Sequence, residues 1–174
     1  MMRALALLPL LIVAGCGGET PTNNSATAAA PPTTLPAGQW ELAAEVTGFN
    51  KTDNAAPRIN MPVGTRTSVS VCVGAGAQAP SELFMEAGYD CTIGNYYTRN
   101  GRLNVSLLCR KSGLEGSIPL VVDGTFTADS LDYTRNLRTQ LIPDGNVTVD
   151  SHVTGRRTGA CTPAAADGGG GNSH

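Results

Sequence analysis

The sequence predicts a mainly β domain, a single antiparallel meander that forms a curved sheet or open barrel, with one short helix and two disulfides. Apolar and polar residues alternate along successive segments that short links join, which is typical of half-buried antiparallel strands. The alternation leaves one face polar, and this favours a curved sheet over a doubly wound α/β fold. Four cysteines remain after the N-terminal one, and an even number in an exported domain indicates disulfides.

The first half of the domain predicts two strands, a loop and a short helix. In residues 39–49 the two faces are Trp40, Leu42, Ala44 and Val46 on one side and Glu41 and Glu45 on the other. Residues 51–64 contain two prolines and several turn-forming residues, and residues 65–73 are rich in β-branched residues. Residues 80–88 predict a short helix that ends at Gly88 and covers one end of the sheet with Leu83, Phe84 and Ala87.

The next segment predicts a hairpin between Cys91 and Cys109, with an Asn-Gly pair in its turn. A two-residue type I′ turn would place Arg99 opposite Arg102 and the two cysteines on opposite faces. A three-residue loop over residues 99–101 instead places Cys91 opposite Cys109 and makes one face continuously apolar. We therefore predict the three-residue loop.

The chosen register also decides the disulfide pairing. Its other facing pairs are Ile93–Leu107, Asn95–Val105 and Tyr97–Leu103. A disulfide between Cys91 and Cys109 follows from this register. The remaining cysteines then form a Cys72–Cys161 disulfide, which joins an early strand to the end of the domain.

The second half of the domain predicts three more strands over residues 118–128, 131–141 and 146–156. Apolar residues recur there at alternate positions, namely Leu131, Tyr133, Leu137 and Leu141, then Val147, Val149 and Val153. The Pro-Asp-Gly run at residues 143–145 predicts a turn, because proline fixes φ and glycine permits a positive φ. Short links favour antiparallel neighbours.

The N-terminus resembles the leader of a bacterial lipoprotein. Residues 1–15 contain Arg3, a short apolar stretch and small residues, and the run Ile-Val-Ala-Gly-Cys that ends at Cys16 resembles a lipobox. The apolar stretch is shorter than the roughly 20 residues that a membrane-spanning helix needs. The resemblance implies cleavage before Cys16, acylation of this residue with palmitate or similar chains, and firm anchoring. By the rule known in enterobacteria, the glycine that follows implies the outer membrane, facing the periplasm.

The segments on either side of the domain have compositions typical of disorder. Residues 16–36 predict a lipidated N-terminus and a disordered tether, and residues 162–174 predict a disordered tail with four consecutive glycines. Residues 37–161 form one domain of ordinary size. Loss of Arg3 with the leader leaves 11 basic and 14 acidic residues, which argues against a nucleic-acid partner.

The sequence contains no motif that predicts catalysis, a metal or a cofactor. Neither a C-x-x-C nor a G-x-S-x-G motif occurs. His152 has only Asp150 nearby as a possible co-ligand, and Ser151 is predicted on the opposite strand face. Glu41 and Glu45 share the polar face of the first strand, where solvated carboxylates are expected.

Four segments resemble, in order, the motifs of a bacterial envelope family called domain of unknown function 3617. They are Pro-Ala-Gly-Gln-Trp-Glu at residues 36–41, Ser-Val-Cys-Val at residues 70–73, Cys91 with Leu-Leu-Cys at residues 107–109, and Gly-Arg-Arg-Thr-Gly-Ala-Cys at residues 155–161. The sequence departs from the pattern at Ala160, where an acidic residue is frequent. The family has no established activity, so the resemblance implies an envelope location and this fold, without site residues.

We therefore expect a non-enzymatic, periplasm-facing outer-membrane lipoprotein that serves in binding or envelope maintenance. Its partners would be the membrane, through the lipid on Cys16, and a small apolar ligand in the curved sheet or a periplasmic protein. The alternative is a protein-binding module such as a hydrolase inhibitor, with residues 51–64 or 74–80 as the inserted loop. An enzyme would require a cleft that gathers Glu41, Glu45 and His152. An anion-binding patch would require six basic residues to meet, namely Arg99, Arg102, Arg110, Lys111, Arg156 and Arg157.

Overall fold

The computed structural model describes residues 30–76 and 78–161. The predicted leader, the acylation site Cys16 and the predicted tail at residues 162–174 lie outside the described residues. Within them the chain is mainly β, as predicted, and forms one curled antiparallel sheet shaped like half of a barrel.

Eight strands make up the sheet within the described ranges. In chain order they are β1 (Gly38–Lys51), β2 (Arg66–Val73), β3 (Tyr89–Arg99), β4 (Arg102–Lys111), β5 (Glu115–Phe126), β6 (Ser130–Arg138), β7 (Gln140–Ile142) and β8 (Val147–Gly159). Their order in the sheet is β2-β1-β8-β6-β5-β4-β3, and the short β7 pairs with β5. The meander from β3 to β6 continues through β8 to β1, so β2 and β3 are the two edges and the half-barrel stays open between them.

Residues 79–88, here called the crossing segment, precede β3 in the chain and cross the gap between the two edge strands. A single 3-10 turn, Ser81–Leu83, stands where the sequence predicts a longer helix over residues 80–88. Across the described residues, the structure has no helix with the length and hydropathy needed to cross a membrane.

The crossing segment buries side chains that differ from the prediction. Leu83, Phe84 and Met85 are buried, whereas Ala87 is exposed. A regular helix would place Leu83 and Ala87 on the same face, because residues four apart lie one above the other. The irregular path instead turns three consecutive side chains towards the concave side of the sheet.

Buried side chains fill the concave side of the sheet. The largest of them are Trp40, Tyr133, Phe84, Leu83, Leu103, Ile118, Leu120 and Leu131. The rings of Phe84 and Tyr133 lie 6.1 Å apart in an edge-to-face arrangement, which joins the crossing segment to β6. The alternation predicted for β1, β6 and β8 therefore marks the core face correctly.

The tip of the β3–β4 hairpin has a two-residue turn, so the predicted three-residue loop over residues 99–101 is wrong. Asn100 and Gly101 have φ angles of 51° and 72°, which is the left-handed geometry of a type I′ turn. Arg99 consequently lies opposite Arg102.

The base of the same hairpin has the predicted register, with Cys91 opposite Cys109. A register shift between Ile93 and Asn95 reconciles the base with the tip, because one extra residue on β3 moves the pairing by one. The predicted pairs Asn95–Val105 and Tyr97–Leu103 are replaced by Tyr96–Val105 and Thr98–Leu103. The bulge keeps the apolar face continuous without a longer loop.

Both disulfides are present in the pairing that the hairpin register predicts. Cys72 and Cys161 join the edge strand β2 to the residues after β8, with a Cα–Cα distance of 5.3 Å. Cys91 and Cys109 join β3 to β4, with a Cα–Cα distance of 4.0 Å.

The packed part of the chain begins before residue 37, the boundary predicted from composition. Leu35 is buried, and the backbone N–H of Gly101 donates a 2.8 Å hydrogen bond to the carbonyl oxygen of Pro32. Leu35 is the one large apolar residue in the predicted tether, residues 16–36, and it packs into the core. The last residues of that segment therefore belong to the domain.

Candidate binding site on the outer face beside strand β2

The sequence suggests the concave side of the half-barrel as a site for a small apolar ligand. In this structure the concave side has no room for an acyl chain. Among the described residues, two cavities between the crossing segment and the strands of the sheet measure about 10 Å³ or less each. A third cavity, of about 270 Å³, lies between the crossing segment and the start of β3, and Glu82, Ala87 and Tyr89 are among its lining residues. Ligand pockets usually measure about 300–1,000 Å³. A ligand could therefore enter only if the crossing segment moved.

Polar contacts from β6 hold the crossing segment in place. The phenol of Tyr133 donates a 2.6 Å hydrogen bond to the carbonyl oxygen of Leu83, and burial raises the pKa of this phenol. The guanidinium of Arg135, which is 6% exposed, donates to the carbonyl oxygen of Phe84 at 3.3 Å and pairs with the carboxylate of Glu86. These contacts hold the crossing segment at three residues, Leu83, Phe84 and Glu86.

A wide concavity of about 610 Å³ lies on the outer face of the sheet, across β2, β1 and β8. We call it the outer groove. Its lining consists of Glu41, Leu42, Ala43, Ser68, Val69, Ser70, Thr154, Gly155 and Arg156. The centre of the groove is recessed because small side chains lie side by side on three strands. Ala43 on β1 is opposite Ser68 on β2 and opposite Thr154 on β8.

Two ion pairs and one imidazole–carboxylate hydrogen bond lie on this outer face. The pairs are Glu41–Arg156 at 2.8 Å, Glu45–Arg66 at 3.0 Å and His152–Asp132 at 3.0 Å. The six side chains are between 45% and 76% exposed. Such exposed pairs contribute about 0–1 kcal/mol each to stability, so they can exchange partners with a charged ligand at little cost.

The structure brings Glu41, Glu45 and His152 to the same face, and Glu45 lies opposite His152 across β1 and β8. Each of the three is already paired elsewhere and is open to solvent. Glu45 and His152 also line one cavity of about 140 Å³ together with Arg66 and Thr154. The three side chains therefore lie on one solvent-open face, and Glu41 lines the outer groove instead of this cavity.

The neighbours of His152 in the sequence do not act with it. The carboxylate of Asp150 accepts a hydrogen bond from the side-chain amide of Asn136, and Ser151 is buried on the opposite strand face. No group of three or more His, Cys, Asp or Glu side chains within residues 30–76 and 78–161 is arranged to hold a metal ion.

Strand β2 presents an unpaired backbone edge next to the outer groove. Its residues Arg66–Val73 pair with β1 on one side, and no described backbone group hydrogen-bonds to them from the other side. Proteins usually protect such edges with proline, bulges or several charges. β2 has no proline, a regular register with β1, and Arg66 as its one charged residue. The opposite edge, β3, is interrupted by its bulge.

The loop at residues 51–64, a candidate for insertion into a partner's cleft, is fastened to the end of the half-barrel. The carboxylate of Asp53 accepts hydrogen bonds from the backbone N–H groups of Asn146 at 2.7 Å and Gly145 at 2.9 Å. These bonds lower the pKa of Asp53, because they stabilise its charged form. In the second candidate loop, residues 74–76 are exposed and the chain then turns back into the core at Ala79.

The basic residues do not form one patch. Arg99 and Arg102 lie at the tip of the hairpin, whereas Arg110 and Lys111 lie at the other end of β4, roughly 25–30 Å away at the rise of an extended strand. The last two, Arg156 and Arg157, pair with Glu41 and Asp129.

The sequence does not predict the outer groove or the open edge. Alternation assigns Ala43 and Ser68 to a polar face, but it does not show that β1 lies between β2 and β8. One signal was present, since Ala43 is a small residue between Glu41 and Glu45 on the outer face, where a depression can form.

A protein-family model matches most of this chain. Residues 35–161, which include both disulfides and all eight strands of the described part of the chain, match the family model described as "Protein of unknown function (DUF3617)". Searches of curated proteins and of solved structures gave no match. The match spans most of the chain and agrees with the four segments that resemble this family in the sequence, and so the chain belongs to the DUF3617 family.

Proposed function

We propose that this chain is a non-enzymatic binding module of the bacterial envelope that recognises a periplasmic protein on the outside of its half-barrel. In this proposal the acylated Cys16 anchors the chain to the outer membrane, and the domain faces the periplasm. The recognised element is an extended segment of the partner that pairs with β2 and extends over the outer groove.

The observation that carries this proposal is an open, unprotected strand edge beside a concave surface, in a molecule whose interior is filled. Strand addition gains affinity from main-chain hydrogen bonds and specificity from alternate side chains. Alternate residues of an added strand would lie next to Ser68 and Ser70, which line the outer groove. Small or hydroxyl-bearing side chains fit there, and an acidic one would face Arg66.

Two features support an envelope location. The disulfides Cys72–Cys161 and Cys91–Cys109 belong to proteins of oxidising compartments. The lipobox-like run before Cys16 supplies the route to the membrane. Incorporation of labelled palmitate into the chain, and its loss in a Cys16→Ala variant, tests the anchor separately.

Site-specific photo-cross-linking in the bacterium tests the binding edge. A photoreactive residue replaces Ser70 on β2, and the matched control replaces Thr92, an exposed residue on the outer face of the other edge strand. The proposal predicts a cross-linked adduct of discrete mass from position 70 and none of that mass from position 92. Adducts of equal yield at both positions, or none at position 70, would contradict it.

A further inference from the structure

The tip of the β3–β4 hairpin carries a pair of arginines that the fold does not require. Arg99 and Arg102 lie opposite each other, both are exposed, and neither forms an ion pair with a described residue. Like charges that face each other in a sheet are destabilising. Asn100 and Gly101 satisfy the turn geometry without them. The two guanidinium groups are therefore available to an anionic partner.

An exposed aromatic residue lies on the same face as these arginines. Tyr97 is 48% exposed and pairs with Asn104, two positions from the Arg99–Arg102 pair on each strand. Residues two apart on a strand share a face. We call Tyr97, Arg99 and Arg102 the hairpin-tip surface. Tyrosine and arginine both suit a boundary between water and apolar material, because each combines an apolar body with a polar end.

The hairpin tip is also where the N-terminal part of the chain reaches the domain. The carbonyl oxygen of Pro32 accepts the hydrogen bond from Gly101, and a Cβ added to Gly101 would lie 3.2 Å from Cβ of Pro31. The segment from Cys16 to Pro31 can span at most roughly 50 Å when extended. An anchor at Cys16 therefore joins the domain at this tip and limits the distance of the tip from the bilayer to roughly 50 Å.

We propose that the hairpin-tip surface binds the anionic headgroups of a lipid bilayer and so turns this end of the half-barrel towards the membrane. The guanidinium groups of Arg99 and Arg102 match phosphate oxygens in geometry and charge. The ring of Tyr97 lies at headgroup level, where tyrosine is enriched. The outer groove lies on β1, β2 and β8 and stays open to a partner. This proposal rests on the membrane anchor of the proposed function. The vesicle test below uses a chain without that anchor, so the two can fail separately.

Vesicle co-sedimentation of the full-length chain tests this inference. All variants carry Cys16→Ala, so acylation is absent and the leader contributes equally to each. The vesicles contain phosphatidylcholine alone or with roughly a third of phosphatidylglycerol. The test variant is Arg99→Gln with Arg102→Gln. The matched control, Arg110→Gln with Arg138→Gln, removes the same charge from the other end of the molecule.

The chain should bind the anionic vesicles more tightly than the neutral ones, and high salt should abolish the difference. The test variant should lose about 30-fold in partition onto anionic vesicles, the control variant should bind like the parent chain, and Arg99→Lys with Arg102→Lys should retain most binding. Equal losses in test and control variants, or equal binding to both vesicles, would overturn the proposal. Unchanged binding of the Arg99→Gln, Arg102→Gln variant to anionic vesicles would also overturn the proposal. Photo-cross-linking from position 70 tests the proposed function separately, because position 70 lies on β2 and not on the hairpin-tip surface.

Discussion

The phenol of Tyr133 in β6 donates a 2.6 Å hydrogen bond to the carbonyl oxygen of Leu83, 50 residues earlier in the chain. This bond joins the middle of the sheet to the segment that crosses its open gap. Because the crossing segment fills the concave side, the interior of the half-barrel is a core and recognition is left to the outer surface.

Tyr133→Phe should lower the free energy of unfolding by about 1–3 kcal/mol, because it leaves a buried carbonyl oxygen without its donor. Urea denaturation of the full chain measures the change. An unaltered midpoint with an unaltered slope would mean that this bond does not hold the crossing segment.

Arg135→Ala should destabilise the fold by about 3 kcal/mol, because it leaves Glu86 without its cation in a largely buried position. Replacing both partners, Arg135→Met with Glu86→Leu, should recover much of the loss. The exposed Arg138→Ala is the control and should change stability by less than about 0.5 kcal/mol. Thermal unfolding of the four chains checks the order, and equal effects of Arg135→Ala and Arg138→Ala would refute it.

The two disulfides should contribute unequally, because they close loops of different length. Cysteine-to-serine replacement of Cys72 and Cys161, which are 89 residues apart, should cost about 4–5 kcal/mol. The same change at Cys91 and Cys109, which are 18 residues apart, should cost about 3 kcal/mol. Guanidinium denaturation of the two double variants measures both, and a reversed order would show that chain entropy does not set their contributions.

Acid should loosen the loop that Asp53 fastens. The folded-state pKa of Asp53 is lowered, so its contribution to stability is complete above the unfolded-state value of about 4 and is lost as the pH falls through the folded-state pKa. The amide resonances of Gly145 and Asn146 should therefore show a titration step below about pH 4. Asp53→Asn cannot titrate and should lack the step. A step of equal size in that variant would assign the titration to another group.

The sequence predicts which face of each strand is buried better than it predicts which strands lie next to each other in the sheet. Alternation identifies Trp40, Leu42 and Val153 as core residues, because the strand period of two is a local property. The pairing of β1 with β8 joins residues such as Glu41 and Arg156, 115 positions apart, and nothing local specifies it. For that reason the edge position of β2 and the outer groove appear only in the folded chain.

The hairpin shows a different limit of local rules. Its turn residues favour one strand register, and its cysteines favour another. A prediction that selects one register for the whole hairpin assumes that the hydrogen-bond ladder between β3 and β4 is uninterrupted. The bulge between Ile93 and Asn95 satisfies both, because one extra residue lets tip and base differ in register. The glycine at position 94 is compatible with such a bulge, but it does not by itself predict one.

Recognition of a partner at the β2 edge is tested most directly by amide hydrogen exchange of β2. The exchange is measured for the full chain in envelope membranes and again after purification. We expect slower exchange across Arg66–Val73 in the membranes and unchanged exchange in β3. The difference in β2 should disappear when Ser68→Lys and Ser70→Lys are introduced together. Equal rates across β2 in both preparations, or slower exchange confined to the crossing segment, would contradict recognition at this edge.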